Sequence, residues 1–498
     1  MKTLYKRYIA LFGLVLLGFI SCDLTPSLDD YTPLYSLPAE SAITNESSAE
    51  LALTGIYSGF RQRSSGSGNP EIYIVPDLLA GFSQISYYYS SNVECIGWIS
   101  NNPISEGSSI QLGIYTRMYD IINRSNWFLE SIAKLSDNDF DTEGRREEMI
   151  GEARILRAIG HFYLLRLFGQ FYDITSTYGI TVKTASSQSA KALPRNTVAE
   201  VYETIMADLD AGISQAPDLR GRMYTNKTFA KALKAKVLLY KGDYSSAATL
   251  AKEVIDNAGS NFSLATNFAN QFQPHTSTAL FENPEILFGS CGTPDDNLGI
   301  GNFYAGFFAS ISQVYYNLTS TTIVVGAQSI AVDGGRATSV LTENTTYGGY
   351  RTSKVKLSSE DYEMVYHMRF AEVYLILAEA SARAATSVTS DALNALNTLR
   401  TTRGATTSGG DGFETYPSTI SYDQFLTAVR MEKAMELMAE TGETWFDLVR
   451  FDYVDGFGAG FKVSDVKASA TNSDKFILPI PQTTIDAGNG VVIQNPSY

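Results

Sequence analysis

The sequence predicts an all-α protein, a solenoid of stacked helix pairs interrupted by long irregular loops. Three observations carry this. Apolar residues recur at spacings of three and four in successive segments. Two of these segments read as helix pairs, one of them with small residues on the facing sides, and between the helices lie long stretches rich in Gly, Ser, Asn and aromatic residues.

The chain begins with Lys2, Lys6 and Arg7, followed by the apolar run "IALFGLVLLGFI" (9–20) and then Ser21 and Cys22. The run is shorter than the roughly 20 apolar residues a membrane span needs, so residues 1–21 read as a signal peptide. A small residue before a cysteine marks a lipoprotein cleavage site, with Cys22 the acylated first residue; Phe19 departs from the usual Leu. The alternative is an ordinary secretory signal ending near a cysteine. Residues 22–44 start with the polar, acidic "DLTPSLDDYTPL" and read as a tether. Residues 1–21 hold three of the 38 Lys+Arg and none of the 53 Asp+Glu, leaving the remainder at −18. Such a surface repels phosphate backbones and anionic lipid, so no nucleic acid partner is expected and membrane attachment falls to the lipid. Cys95 and Cys291, the other two cysteines, make no disulfide framework; they either pair or stay free.

Residues 45–498 show no long polar linker and read as one domain, with loop excursions at 59–110 and 260–362. "EEMIGEARILRAIGHFYLLRLFG" (147–169) has the spacing of an amphipathic helix ended by Gly169. "TVAEVYETIMADLDAGI" (197–213) opens on Thr197 with Glu200 three residues on, a capping box. "TFAKALKAKVLLYKGDYSSAATLAKEVID" (228–256) splits into two helices at Gly242, with Ala230, Ala235, Ala247, Ala248 and Ala251 permitting close approach, as in a tetratricopeptide unit. A second pair is "MRFAEVYLILAEASARA" (368–384) with "DALNALNTLRTTRG" (391–404), and "RMEKAMELMAE" (430–440) supplies a further helix. Repeats of this kind bury their faces only by stacking.

Glu432, Glu436 and Glu440 recur every four residues, a like-charge stripe that needs a reason. Arg430, Lys433 and Arg450 lie close in sequence, and Arg154, Arg157, Arg166 and Arg369 can reach in from stacked helices. We read the stripe as structural, since a helix inside a solenoid offers neither the cleft nor the second group that acid/base work needs. His161, His275 and His367 fall in no metal-ligand spacing, so neither metal nor cofactor is expected. No GxSxG elbow, phosphate loop or GxGxxG entry appears. Paired carboxylates among 53 acids leave a hydrolase open by counting alone.

The segments "EARILRAIGHFYLLRLFG" (152–169), "LPRNTVAEVYETIMADLDAGI" (193–213), "TNKTFAKALKAKVLLYKGDYSSAATLAKEVI" (225–255), "MRFAEVYLILAEA" (368–380) with "ALNALNTLRTTRG" (392–404), "RMEKAMELMAETGETWFDLVRF" (430–451) and the ending "ILPIPQTTI…IQNPSY" stand in the order in which the SusD/RagB family carries similar ones. The chain resembles that family from the lipobox to its last residue. The resemblance implies a tetratricopeptide scaffold and a cell-surface lipoprotein in the outer membrane. It also implies docking onto a SusC-like TonB-dependent transporter that imports captured oligosaccharide or, in some branches, peptide, and it implies binding without turnover. Related sequences often carry Arg where Thr444 stands, so one expected charge partner is missing.

The aromatics fall in two loop clusters. Residues 72–98 hold Tyr73, Phe82, Tyr87, Tyr88, Tyr89 and Trp98, and "FYAGFFASISQVYY" (303–316) holds six more. Flat amphipathic rings suit sugar faces. Three adjacent tyrosines on an extended segment with alternating side chains cannot all face inward. Tyr88, Trp98 and Tyr304 are therefore the expected stacking surfaces for a glycan, with Asp77 and Asn92 as nearby polar contacts. A peptide ligand, or a scaffold that only grips its transporter, stays open.

Overall fold

A computed structural model describes residues 42–61, 71–189, 192–295, 300–304, 307–355, 361–408 and 410–498. The signal peptide, Cys22 and nearly all of the tether lie outside these residues. The main helices, in chain order, are α1 (Glu46–Arg61), α2 (Glu71–Leu79), α3 (Val93–Ile99), α4 (Ser109–Ile132), α5 (Arg145–Phe168), α6 (Val198–Gln215), α7 (Lys227–Lys241) and α8 (Tyr244–Asp256). After a long interval come α9 (Phe370–Ala385), α10 (Ser390–Thr402), α11 (Tyr422–Leu437) and α12 (Glu443–Tyr453).

Their packing follows chain order. Helix α4 lies on α5, α5 on α6, α6 on α7, α7 on α8 and α8 on α9, which then packs on α10 and α11. The capping box at Thr197 is formed, with the Glu200 amide donating to Thr197 Oγ1 at 3.2 Å and Thr197 N donating back at 2.9 Å. Gly242 closes α7 in the left-handed region (φ +81), so the chain reverses at once into α8. Ala230, Ala235, Ala247 and Ala251 are fully buried between the pair. Helix α5 departs from its amphipathic reading. It is buried on every side, Glu152, Arg157, His161 and Arg166 included, because α1, α4 and α6 all pack on it. Gly151 permits one of these approaches: a Cβ there would stand 2.3 Å from the backbone nitrogen of Ala216, which follows α6.

The stretches read as irregular hold regular structure. Besides α2 and α3, residues 59–110 contain strand β1 (Ser83–Ile85). Between α8 and α9 run β2 (Ile286–Gly292), β3 (Ala309–Ile311), β4 (Thr322–Val325), β5 (Gln328–Ala331), β6 (Leu341–Glu343), β7 (Tyr350–Thr352) and β8 (Glu363–Arg369). They form a four-stranded sheet in the order β1-β3-β7-β6 and two antiparallel pairs, β2-β8 and β4-β5. The strand segment is thus inserted between two helices that still stack on each other.

The glutamate stripe is structural. Glu432, Glu436 and Glu440 are all buried, and each meets cations from elsewhere in the chain. Glu436 Oε1 accepts from Arg369 at 3.0 Å and Arg403 at 2.7 Å; Glu432 accepts from Arg336 at 2.6 Å and from Arg400. Helix α11 ends at Leu437, so Glu440 stands beyond it, yet it still accepts from Arg369 Nε at 2.9 Å and Lys354 at 2.7 Å. Burial alone pushes the Glu436 carboxyl up, but Arg403 and Arg369 overcome it and hold the group well below the usual carboxylate range. Of the expected cationic partners only Arg369 takes part. Arg154 and Arg157 pair with Asp208, Arg166 with Glu443, and Lys433 and Arg450 with Glu379 and Asp447.

Candidate ligand-binding surface

Tyr87–Tyr89 forms a single 3-10 turn directly after β1, so the alternation of an extended segment does not apply. The turn splits the three rings. Tyr87 is 85% and Tyr88 63% exposed, while Tyr89 packs inward on Phe308 with centroids 4.4 Å apart. Residues 307–308, just before β3, are fastened to this turn: Ser86 N donates to Phe308 O at 2.9 Å and Ser86 Oγ to Phe307 O at 2.6 Å. That places Phe307, half exposed, beside Tyr88 with centroids 5.6 Å apart and planes tilted by 32°. Tyr347, between β6 and β7, comes within 6.1 Å of Tyr88 from the other side.

Four rings from three separate segments thus share one surface. Polar groups surround them. Gln84 on β1 lies next to Gly348, and Ser90 Oγ donates to Tyr87 O at 2.6 Å. On the same sheet Tyr350 stacks face to face on Tyr316, centroids 4.2 Å apart, and donates to Gln313 Oε1 at 3.1 Å. Large apolar area held out in water by a sheet is the usual mark of a binding face.

Of the expected site residues, the structure places Tyr88 in this patch and removes three others from solvent. Trp98 is 1% exposed: α3 turns it into the core and shows Val93 and Ile96 outside. Tyr304 is fully buried and donates to Asp77 Oδ2 at 2.8 Å. Asp77, also fully buried, accepts from Thr444 Oγ1 at 2.8 Å, so position 444 faces this carboxylate. Burial pushes the Asp77 carboxyl up to about 6 in spite of both hydrogen bonds. Asn92 is spent as the cap of α3, its side chain accepting from Cys95 N at 3.0 Å. Reasoning from sequence missed Tyr87, Phe307 and Tyr347; the first two lay inside the aromatic clusters, whereas Tyr347 carried no local signal.

Among the described residues no group of three or more His, Cys, Asp or Glu is placed to hold a metal ion, and Cys95 and Cys291 are buried and form no disulfide. His161 and His367 are buried, with pKa values pushed down by burial to about 4 and about 3. No helix of the described residues is long and apolar enough to cross a membrane.

Comparison with known proteins agrees with the fold. The SusD family model matches residues 303–498, and a second one, described as starch-binding associating with outer membrane, matches 83–239. SusD-like protein P2 of Formosa agariphila is 24% identical over 99% of this chain and 100% of its own. Among solved structures, a SusD superfamily protein of Bacteroides thetaiotaomicron aligns with a TM-score of 0.72 at 22% identity, covering 90% of this chain and 99% of that one. A laminarin-binding SusD-like protein aligns with a TM-score of 0.68 at 20% identity, covering 92% and 100%. The chain belongs to the SusD/RagB family, a carbohydrate-binding family with a tetratricopeptide-like helical fold.

Proposed function

We propose that this protein captures oligosaccharide at the cell surface on the Tyr87–Tyr88–Phe307–Tyr347 patch and passes it to a TonB-dependent transporter of the SusC type. An acylated Cys22 holds it to the outer membrane. The exposure of Tyr87, Tyr88 and Phe307, with the partly buried Tyr347 beside them, carries the reading: the rings offer apolar faces to sugar C–H groups, and nearby amides and hydroxyls can bond the sugar hydroxyls.

Isothermal titration against a panel of β-glucans, α-glucans and peptides, with product analysis of each mixture, tests this. Expected is saturable binding of at least one glycan and no cleavage. Binding confined to peptides, or shortened glycan products, overturns it.

A further inference from the structure

A cavity of about 190 Å³ lies between α11, the start of α12 and the segment 318–323. Its walls are apolar, built by Phe82, Leu318, Ile323, Met431, Leu448 and Val466. Two charged groups also line it, Arg430 and Asp447. Arg430 forms no ion pair or hydrogen bond among the described residues; its guanidinium rests 4.1 Å over the Phe461 ring. Asp447 is 1% exposed, and its Oδ1 is taken up by Lys433 at 3.0 Å and by Arg450. Its Oδ2 is buried with no partner among the described residues. A buried carboxylate oxygen left without a donor is costly.

We propose that this cavity is a second ligand site, taking a single carboxylate-bearing sugar ring, a uronate, with its carboxylate on Arg430 and a hydroxyl towards the Asp447 side chain. Size and charge both favour this class. The volume exceeds the roughly 150 Å³ that holds a benzene molecule, which admits one ring and no chain. Around Asp447 and Glu379 gather Arg383, Lys433 and Arg450, already three cations against two carboxylates. Arg430 adds a fourth, and Asp465, a further carboxylate acting on it, is exposed. An ammonium group is therefore repelled and a planar carboxylate, matching the guanidinium fork, is drawn in. Burial lowers the Arg430 pKa only to about 10, so it remains a cation at neutral pH. The apolar walls then meet the C–H face of the ring.

The inference is independent of the aromatic patch, and the two can fail separately. Titration of the purified full-length chain with glucuronate and galacturonate, with glucose and leucine as neutral and zwitterionic controls, tests it. Uronates are expected to bind about tenfold or more tightly than either control. Arg430→Gln should lose that affinity, and so should Thr427→Trp, which blocks the exposed rim and leaves every charge in place. Melting curves identify a variant that fails to fold, and each variant stands in for the other. Uronates no tighter than glucose, tighter binding of leucine, retention of affinity in both folded variants, or loss of uronate binding in Tyr88→Ala overturns the proposal.

Discussion

Tyr88 and Asp77 were expected to work side by side, and they do opposite things. Tyr88 touches mainly other rings and water, so replacing it tests binding with little cost to the fold. Tyr88→Ala and Phe307→Ala should each weaken glycan affinity about tenfold, or ~1.4 kcal/mol, with the melting temperature almost unchanged. Titration beside a melting curve reads both, and equal loss of stability would make the residue core. Asp77 is a test of stability. Its folded pKa of about 6 lies above the ordinary aspartate value of 3.8, so the folded state holds the proton more tightly than the unfolded chain. Stability from this group is full below about pH 4 and declines as pH rises from there to about 6. Asp77→Asn should remove that decline, worth about 3 kcal/mol, and melt above the parent at pH 8. A steeper decline in the variant would contradict the assignment.

At the scale of elements, α11 is held by charge as much as by apolar packing. Removing one partner of a buried network leaves the rest uncompensated, so Glu436→Ala should cost about 3–5 kcal/mol while leaving glycan affinity of the folded fraction intact. Denaturant melts at pH 7 measure it; loss of binding with normal melting would move the site to this helix. Because the Glu436 carboxyl is held low in the fold, its contribution is complete above the unfolded value near 4.5 and is lost only as pH falls below it. Helix ends were legible wherever the sequence wrote a cap, as at Thr197 with Glu200 and at Gly242. Helix α4 went unread although Ile110, Ile114, Met118 and Ile121 keep its period. Strands of three and four residues, such as β1, β3 and β4, are too short for an alternating pattern to show. The candidate surface was legible only at Tyr88, because which rings face out is decided by Ser86 reaching Phe307, 221 residues away.

For the whole molecule, the family and its helical stack were readable from six ordered segments, while the strand insertion between α8 and α9 was hidden by the length of the gap it fills. Attachment is the remaining property that belongs to the chain as a whole. With a formal charge of −18 beyond residue 21, the body of the protein has no attraction to anionic lipid. Cys22→Ala is therefore expected to leave the protein in the soluble fraction without incorporated fatty acid; equal labelling of the variant by radiolabelled palmitate would refute the anchor.

A solenoid ordinarily frays from its ends, since each unit touches only its neighbours. Here the cations that meet on Glu432, Glu436 and Glu440 come from Arg336 and Lys354 in the strand insertion, Arg369 at the start of α9, and Arg400 and Arg403 at the end of α10. Peeling any one of these segments away would strand charge in the others. The C-terminal half is thereby tied into one cooperative unit, in which amide protons of α9, α10 and α11 should exchange together at a common opening free energy, well after those of α1.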